Sequence, residues 1–309
     1  MLKNNYLRAK RYVQSFLKHY KNGNVSDSAA ALSFYLLFAL FPLIIIFGSV
    51  LQIMNLHANE ILLYLEPIFP DSIFSMLKPV INSTIHGYST GQLSIGLLVT
   101  IWSASRAIAA FQRSINQSYD VAKNQTAISN RIISFVWMLA LLVFVVLMIL
   151  IFIFGQWILV WIKPIINFPK DWIEIFSAVK WPTTIMVILI LLTLLFYFVP
   201  NAKVKFRYAW IGALFSSLGI LLLAQGFSIY IKYFASGITT YKTIGTFIAL
   251  MFWLDLSALI LLIGGVINAT IQEVRQGEIQ EQQDALERVV QRARQVNQAI
   301  KHNNKKNND

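Results

Sequence analysis

Six separate runs of mainly apolar residues, each about as long as a bilayer is thick, constrain this 309-residue chain more than any other feature. They extend over approximately Leu32 to Met54, Gln92 to Phe111, Ile132 to Trp157, Trp181 to Val199, Ala209 to Ile231 and Ile244 to Thr270. About 20 residues rising 1.5 Å each cross the hydrocarbon layer, so each run predicts a spanning helix. A helix closes its backbone hydrogen bonds within itself, which lipid requires because it offers none. Composition argues against a soluble alternative: 57% of the residues are hydrophobic and 13% charged, against about 45–50% and about 25% in soluble domains. Too few polar residues remain to cover a water-facing surface. The expected fold is all-α, a polytopic membrane protein with six transmembrane helices.

The formal charge of +12 would by itself suit nucleic acid or an anionic membrane. Placement decides between them. Six Lys and Arg residues occupy the N-terminal arm, three the second loop, three the fourth and seven the tail, whereas the alternate segments hold six in all. That bias predicts both termini in the cytoplasm, and no specific nucleic acid is expected as a partner. The first run follows about thirty residues without a cleavage pattern, so it reads as a retained helix. There is no cysteine, which excludes disulfides and thiolate metal sites.

Three regions result: a cytoplasmic amphipathic arm over 1–26, a transmembrane domain over 27–270, and a cytoplasmic helical tail with a disordered end over 271–309. In the arm, Leu2, Tyr6, Ala9, Val13, Phe16 and Tyr20 recur on one helical face. An interfacial helix on the anionic lipids of the inner leaflet is expected. The first outer loop, cut by Pro67, Pro70 and Pro79, reads as short helices. In the tail, Leu286, Val289, Ala293, Val296 and Ile300 have heptad-like spacing, which suits a short coiled coil or a stripe packed on the protein itself. A second copy of the chain is left open as a partner.

Enzyme signatures are missing: the sequence contains no Walker A, HExxH, GxSxG or GxGxxG pattern. His19, His57, His86 and His302 are divided between the two sides by the expected topology, so no metal site and no cofactor are predicted.

The chemistry-bearing candidates are polar groups within the spans. Along the second run, Thr100, Ser103, Arg106, Ala107, Ala110, Arg113, Ser114 and Gln117 make a small and polar face, expected to turn into the bundle or toward water. Arg106 leans toward the N-terminus of its helix and hence toward the bilayer centre. A charge there costs about 2.5–3.5 kcal/mol on insertion scales, so a carboxylate, carbonyls or a hydrated cavity is expected beside it. Asp255, near the middle of the sixth run, is the deep acid that would pair with Arg106 or carry a proton, although Arg106 is expected nearer the inner surface. Asn116 and Asn268 complete the cavity candidates. Pro42 is expected to break the first helix and free the Phe38 carbonyl. Asp27 and Ser28 read as N-caps, with contact from Asp27 to Arg106 or Arg113 as the alternative. Gly212, Ser216, Gly219 and Gly226 form a small-residue stripe for close helix packing.

Three stretches resemble the YihY/BrkB family of bacterial inner-membrane proteins, once labelled ribonuclease BN: DSAAALSFYLLFALFPL from Asp27, IWSASRAIAAFQRSINQSYDV from Ile101 and YKTIGTFIALMFWLDLSALILLIGGVINA from Tyr241. The resemblance runs from about Tyr12 to Thr270. It implies six helices, the bacterial cytoplasmic membrane, no established reaction, and a transport or lipid-related envelope role. The family usually has an aromatic residue at the position of Asp255 and an acid at that of Val266. Eleven residues are about three turns, so the two positions share a face about 16 Å apart in depth. Ribonucleolytic chemistry needs a metal cluster, a His pair or an organised carboxylate set, and the cytoplasmic segments suggest none. The expected function is movement of a small polar molecule, ion or lipid through a cavity lined by the second and sixth helices. The alternative is a non-catalytic scaffold for envelope proteins.

Overall fold

A computed structural model describes residues 2–53, 74–75, 78–79, 90–121, 171–230, 233 and 242–281. Among these the architecture is all-helical. In chain order the helices are α1 (Leu2–Asn22), α2 (Val25–Ile53), α3 (Thr90–Ser118), α4 (Asp171–Phe198), α5 (Phe206–Tyr230) and α6 (Lys242–Gln276). One isolated bridge joins Ala202 and Glu281. The predicted run Ile132 to Trp157, the tail stripe Leu286 to Ile300 and nearly all of the loop after α2 lie outside the described residues.

Helix ends extend beyond the apolar runs. α2 starts at Val25 rather than Leu32, and α3 continues to Ser118 rather than Phe111. Hydropathy marks where a helix meets lipid, whereas the hydrogen-bond ladder continues through polar sequence until a capping signal stops it. After α3, Asp120 takes φ 59°; its N–H bonds the Gln117 carbonyl and the Val121 N–H bonds the Asn116 carbonyl. This paired closure is a Schellman ending. Gly277 (φ 83°) ends α6, with its N–H on the Glu273 carbonyl.

One correction concerns the start of α2. Asn24 (φ 44°) is the capping residue: its carbonyl accepts the Ser28 N–H and its amide donates to Asp27 Oδ2 at 2.9 Å. Asp27 is therefore the third helical residue, exposed, where a carboxylate complements the helix dipole. Pro42, the expected kink, lies inside a helix that continues from Val25 to Ile53, so it does not end the helix. A proline removes one hydrogen bond and can leave the turns on both sides intact.

Among the described residues two helices are long and apolar enough to cross a membrane, Phe206–Tyr230 with mean hydropathy 1.7 and Phe247–Gln276 with 2.3. α5 shows how they pack. Its buried residues include Ala209, Gly212, Ala213, Ser216 and Ser217, whereas Trp210, Leu214, Phe215, Leu218 and Leu222 are exposed. Tyr208 and Phe227 are also buried near the two ends of the helix, but between them small residues inside and large apolar ones outside reverse the order of a water-soluble core. The predicted stripe meets α6: a Cβ at Gly212 would lie 2.2 Å from the Gly264 carbonyl oxygen, and one at Gly264 2.1 Å from Ser216 Oγ.

α2 packs mainly on α3 and α6, and α5 on α4 and α6, while α1 lies against the ends of α6 and α3. One apolar cluster joins Ala107, Phe111 and Ile115 of α3 with Phe196 of α4, Ala213 of α5 and Ala258, Leu262 and Val266 of α6. This cluster fixes the relation between α3 and α6, the two helices that carry the predicted site.

Candidate intramembrane polar site

α3 and α6 run toward the same end of the molecule, where His19 of α1 contacts both the Ser118 carbonyl and Glu273. Closer to the middle, a Cβ at Gly265 would lie 2.1 Å from Ile115 Cδ1, so these residues touch. Arg106 precedes Ile115 by nine residues and Asp255 precedes Gly265 by ten. At 1.5 Å per residue these are about 13.5 Å and about 15 Å from the contact. On this register the two ionisable groups are nearly level, with Arg106 about 1.5 Å nearer that end.

They do not form an ion pair. Both ion pairs among the described residues end on Glu273. Arg106 is exposed, with its guanidinium carbon 5.8 Å from the Trp102 ring centroid. Trp102 is one turn nearer the N-terminus, the direction in which helical side chains lean. A cation over an indole face is stabilised by about 0.5–1 kcal/mol at an exposed position. Asp255 is half-buried, and its Oδ1 is buried without a hydrogen-bond partner.

The predicted polar face of α3 divides. Thr100, Ser103, Ala107 and Ser114 are buried, whereas Arg106 and Arg113 are exposed at its edge. Thr100 Oγ1 and Ser103 Oγ have no hydrogen-bond partner, and neither has Trp253 Nε1 on α6. Ser103 and Trp253 each precede the Ile115–Gly265 contact by twelve residues, and Thr100 precedes it by fifteen. With Asp255 Oδ1 they form a band about 15–22 Å from that contact, near the centres of the predicted second and sixth runs.

Two further hydroxyls, Ser118 Oγ and Tyr119 OH at the end of α3, are buried without a partner, but several others are satisfied within their own helices. Thr193, Ser217, Ser257 and Thr270 each donate to the carbonyl four residues earlier, at 2.7–2.8 Å. Thr100 and Ser103 make no such bond. Their hydroxyls are instead left for another polar group. Hydroxyls that donate and accept, an indole donor and a carboxyl make a set suited to a small polar solute.

Asn116 and Asn268 are engaged differently. Asn268 Oδ1 accepts the Gly212 N–H at 2.7 Å, and its Nδ2 donates to the Ala209 carbonyl at 3.2 Å. Asn116 Oδ1 accepts the Asn201 N–H at 2.8 Å. Beside it, Gln112 donates to the Val199 carbonyl at 3.1 Å, and Gln272 of α6 brackets the turn before α5 through the Lys203 carbonyl and the Lys205 N–H. Side-chain amides thereby satisfy a turn that has no regular ladder of its own. Asn268→Leu is expected to lower the unfolding free energy by about 1 kcal/mol, the usual worth of an interhelical polar tie. A detergent-based thermal unfolding series on the purified protein measures this.

The sequence reading missed the cluster at the other end. Glu273 Oε1 accepts from Lys18 Nζ at 2.5 Å, and its Oε2 meets His19 Nε2 at 2.7 Å as well as the Ser15 hydroxyl. Burial would raise the Glu273 carboxyl, but the bonds from Lys18 and Ser15 and the neighbouring positive charges overcome it and hold it down to about 2. The bond to Glu273 also raises Lys18. His19 is buried, and its Nδ1 faces the Ser118 carbonyl. The two ring nitrogens thus tie α1 to α3 through the Ser118 carbonyl and to α6 through the Glu273 carboxylate. Ser15 bonds the carboxylate and not the imidazole, so the arrangement differs from an activated nucleophile. It is a clamp between α1 and α6. The spacing Ser15, Lys18, His19 was its one local signal, since three residues at i, i+3 and i+4 share a helical face.

The family described as virulence factor BrkB matches residues 16–288. A Bacillus subtilis (strain 168) protein whose name calls it ribonuclease-like, YfkH, is 28% identical over 262 residues, 85% of this chain and 95% of its own length. A UPF0761 membrane protein of Actinobacillus pleuropneumoniae is 24% identical over 87% of this chain and 97% of its own. The UPF0761 membrane protein IL2447 of Idiomarina loihiensis is 38% identical over a shorter stretch, 31% of this chain and 34% of its own. No solved structure matches.

Proposed function

The chain belongs to the BrkB family of membrane proteins, and from that premise we propose that it moves a small polar molecule, ion or amphipathic lipid across the cytoplasmic membrane between α3 and α6. One observation carries this reading: among the described residues, four of the six buried side-chain polar atoms without partners, on Thr100, Ser103, Trp253 and Asp255, fall in one band of two adjacent helices. Leaving such groups unpaired costs about 1–3 kcal/mol each. Four at one level are a persistent destabilisation unless a solute or water occupies the place. Arg106, at the same level, supplies a cation that an anionic or zwitterionic solute would meet.

The topology belongs to the same proposal: six spans, with both termini in the cytoplasm. Support comes from the basic bias of alternate segments and from the clamp, which holds α1 and the end of α6 at one end of the molecule. YfkH's name refers to ribonuclease. Among the described residues no three His, Asp or Glu side chains come together as a metal site, and the band of Thr100, Ser103, Trp253 and Asp255 is on apolar helices remote from the basic end.

Flux through proteoliposomes tests the proposal. Radiolabelled inorganic ions, amino acids and fluorescent phospholipids are the probes. Ser103→Ala, Asp255→Asn and Arg106→Ala are each expected to reduce the flux of the transported probe about tenfold, the equivalent of one lost hydrogen bond to a charged group. Insertion, checked by size exclusion, should remain. Equal flux in all three variants, or none above empty vesicles for any probe with the unaltered chain, would sink the idea.

A further inference from the structure

The clamp fixes which way α1 faces, and that orientation differs from the sequence expectation. Phe16 and Tyr20, expected on the lipid side, pack partly against the core. Ser15 and His19 are buried beside them. The outward strip keeps Tyr6 and Val13 of the expected face and adds Leu17, exposed by 68%, 58% and 59%. At about 100° per residue these three fall within about 40° of one another, so they form one line along the helix. Lys10 and Lys21, both exposed, border that line.

We propose that this face is a docking surface for anionic phospholipid, with the apolar line inserted among acyl chains and Lys10 and Lys21 on the headgroups. Three observations select that occupant. First, α1 carries six Lys and Arg residues and no Asp or Glu, and among the described residues only Lys18 of the six forms an ion pair. A surface with this balance is complementary to negative charge. Second, the clamp bonds α1 to Glu273, three residues beyond the apolar run ending at Thr270, where headgroups begin on the proposed topology. Third, the order around the helix is bundle contact, apolar line, then lysines, which is the order met in passing from protein through lipid to the charged interface. A helix meant for water would not expose Tyr6, Val13 and Leu17 on one line.

The chain has no cysteine, so Leu17→Cys or Val13→Cys introduces one labelling site in the full-length protein. Each is labelled with an environment-sensitive fluorophore and reconstituted into vesicles of pure phosphatidylcholine or with 30% (about one third) phosphatidylglycerol added. The expected result is a blue shift and protection from aqueous iodide in the anionic vesicles, reversed by high salt. Lys10→Gln and Lys21→Gln should each lower the ratio of docked to free helix about fivefold, the equivalent of about 1 kcal/mol per basic residue at such a surface. A label at exposed Gln14, nearer the basic side, reports whether α1 remains folded and should stay accessible. Three outcomes overturn the proposal: iodide access equal in both lipids, protection unaffected by salt and by both lysine variants, or protection that follows the protein-to-lipid ratio. The last would assign the face to a second copy of the chain.

Discussion

Gly212→Ala is expected to destabilise the solubilised protein by about 3 kcal/mol, at the upper end of what overpacking costs, whereas Gly226→Ala leaves it unchanged or slightly more stable. The methyl group at Gly212 would stand 2.2 Å from the Gly264 carbonyl oxygen and 2.6 Å from both amide atoms of Asn268. A flexible side-chain tip can give way, but a backbone carbonyl on the facing helix cannot move without shifting the helix. Asn268 is itself held by Gly212 and Ala209, so its retreat breaks those bonds as well. At Gly226 nothing lies within 4 Å, and alanine gains about 1 kcal/mol of helix propensity there. Thermal unfolding of the two variants beside the unaltered protein decides it. Equal stability of the two variants would mean that α5 and α6 do not approach as closely as described.

That comparison also shows what the sequence could and could not convey. Small residues at Gly212, Ser216 and Gly219 announce a close helix contact because lipid provides no hydrophobic drive and only intimate packing holds such helices together. They do not announce the partner, since Gly264 is the one glycine of α6 that meets Gly212 and Ser216, and its neighbour Gly265 faces Ile115 of α3 instead. Apolar length predicted helices well, because hydrocarbon permits few alternatives. It predicted their ends poorly: Asn24, Asp120 and Gly277 stop or start helices through left-handed backbone in polar sequence, where hydropathy carries no information.

Site residues divide by the same logic. Thr100, Ser103 and Asp255 were recognisable as polar groups in apolar runs, and their level follows once one contact, Ile115 with Gly265, sets the register. Asn116 and Asn268 were recognisable as polar, but their engagement was not, because their partners are main-chain groups that could belong to any residue. Arg106 followed its predicted lean toward the N-terminus and met Trp102, a partner on its own helix. The clamp was invisible because Ser15 and Glu273 are 258 residues apart, and neither lies in an apolar run that would have drawn attention to it.

The second large effect is expected at that clamp. Glu273→Gln preserves volume and an acceptor oxygen but removes the charge that Lys18 and His19 share. Breaking a buried pair costs about 3–5 kcal/mol. Lys18 keeps 45% and Glu273 22% of their side-chain surface exposed, so solvent screening reduces the expected loss to about 2 kcal/mol. Because α1 has few other bonds to the bundle, this loss should release the helix rather than unfold the chain. The pH dependence has a definite sign. In the folded protein the carboxyl is held at about 2, below its ordinary 4.5, so its stabilising contribution is complete above about 4.5. It fades as the pH falls toward 2 and is gone below it, since protonation then costs no more in the folded state than in the unfolded one. Nitroxide labels at Gln14 and Gln280, in the otherwise cysteine-free chain, measure the separation of α1 from the end of α6. The unaltered protein should show a short distance at neutral pH that broadens on acidification within this window. Glu273→Gln should be broad at neutral pH already, with no further change over the same range. A short, sharp distance in the variant would mean that apolar contacts from Phe16 and Tyr20 hold α1 without the carboxylate.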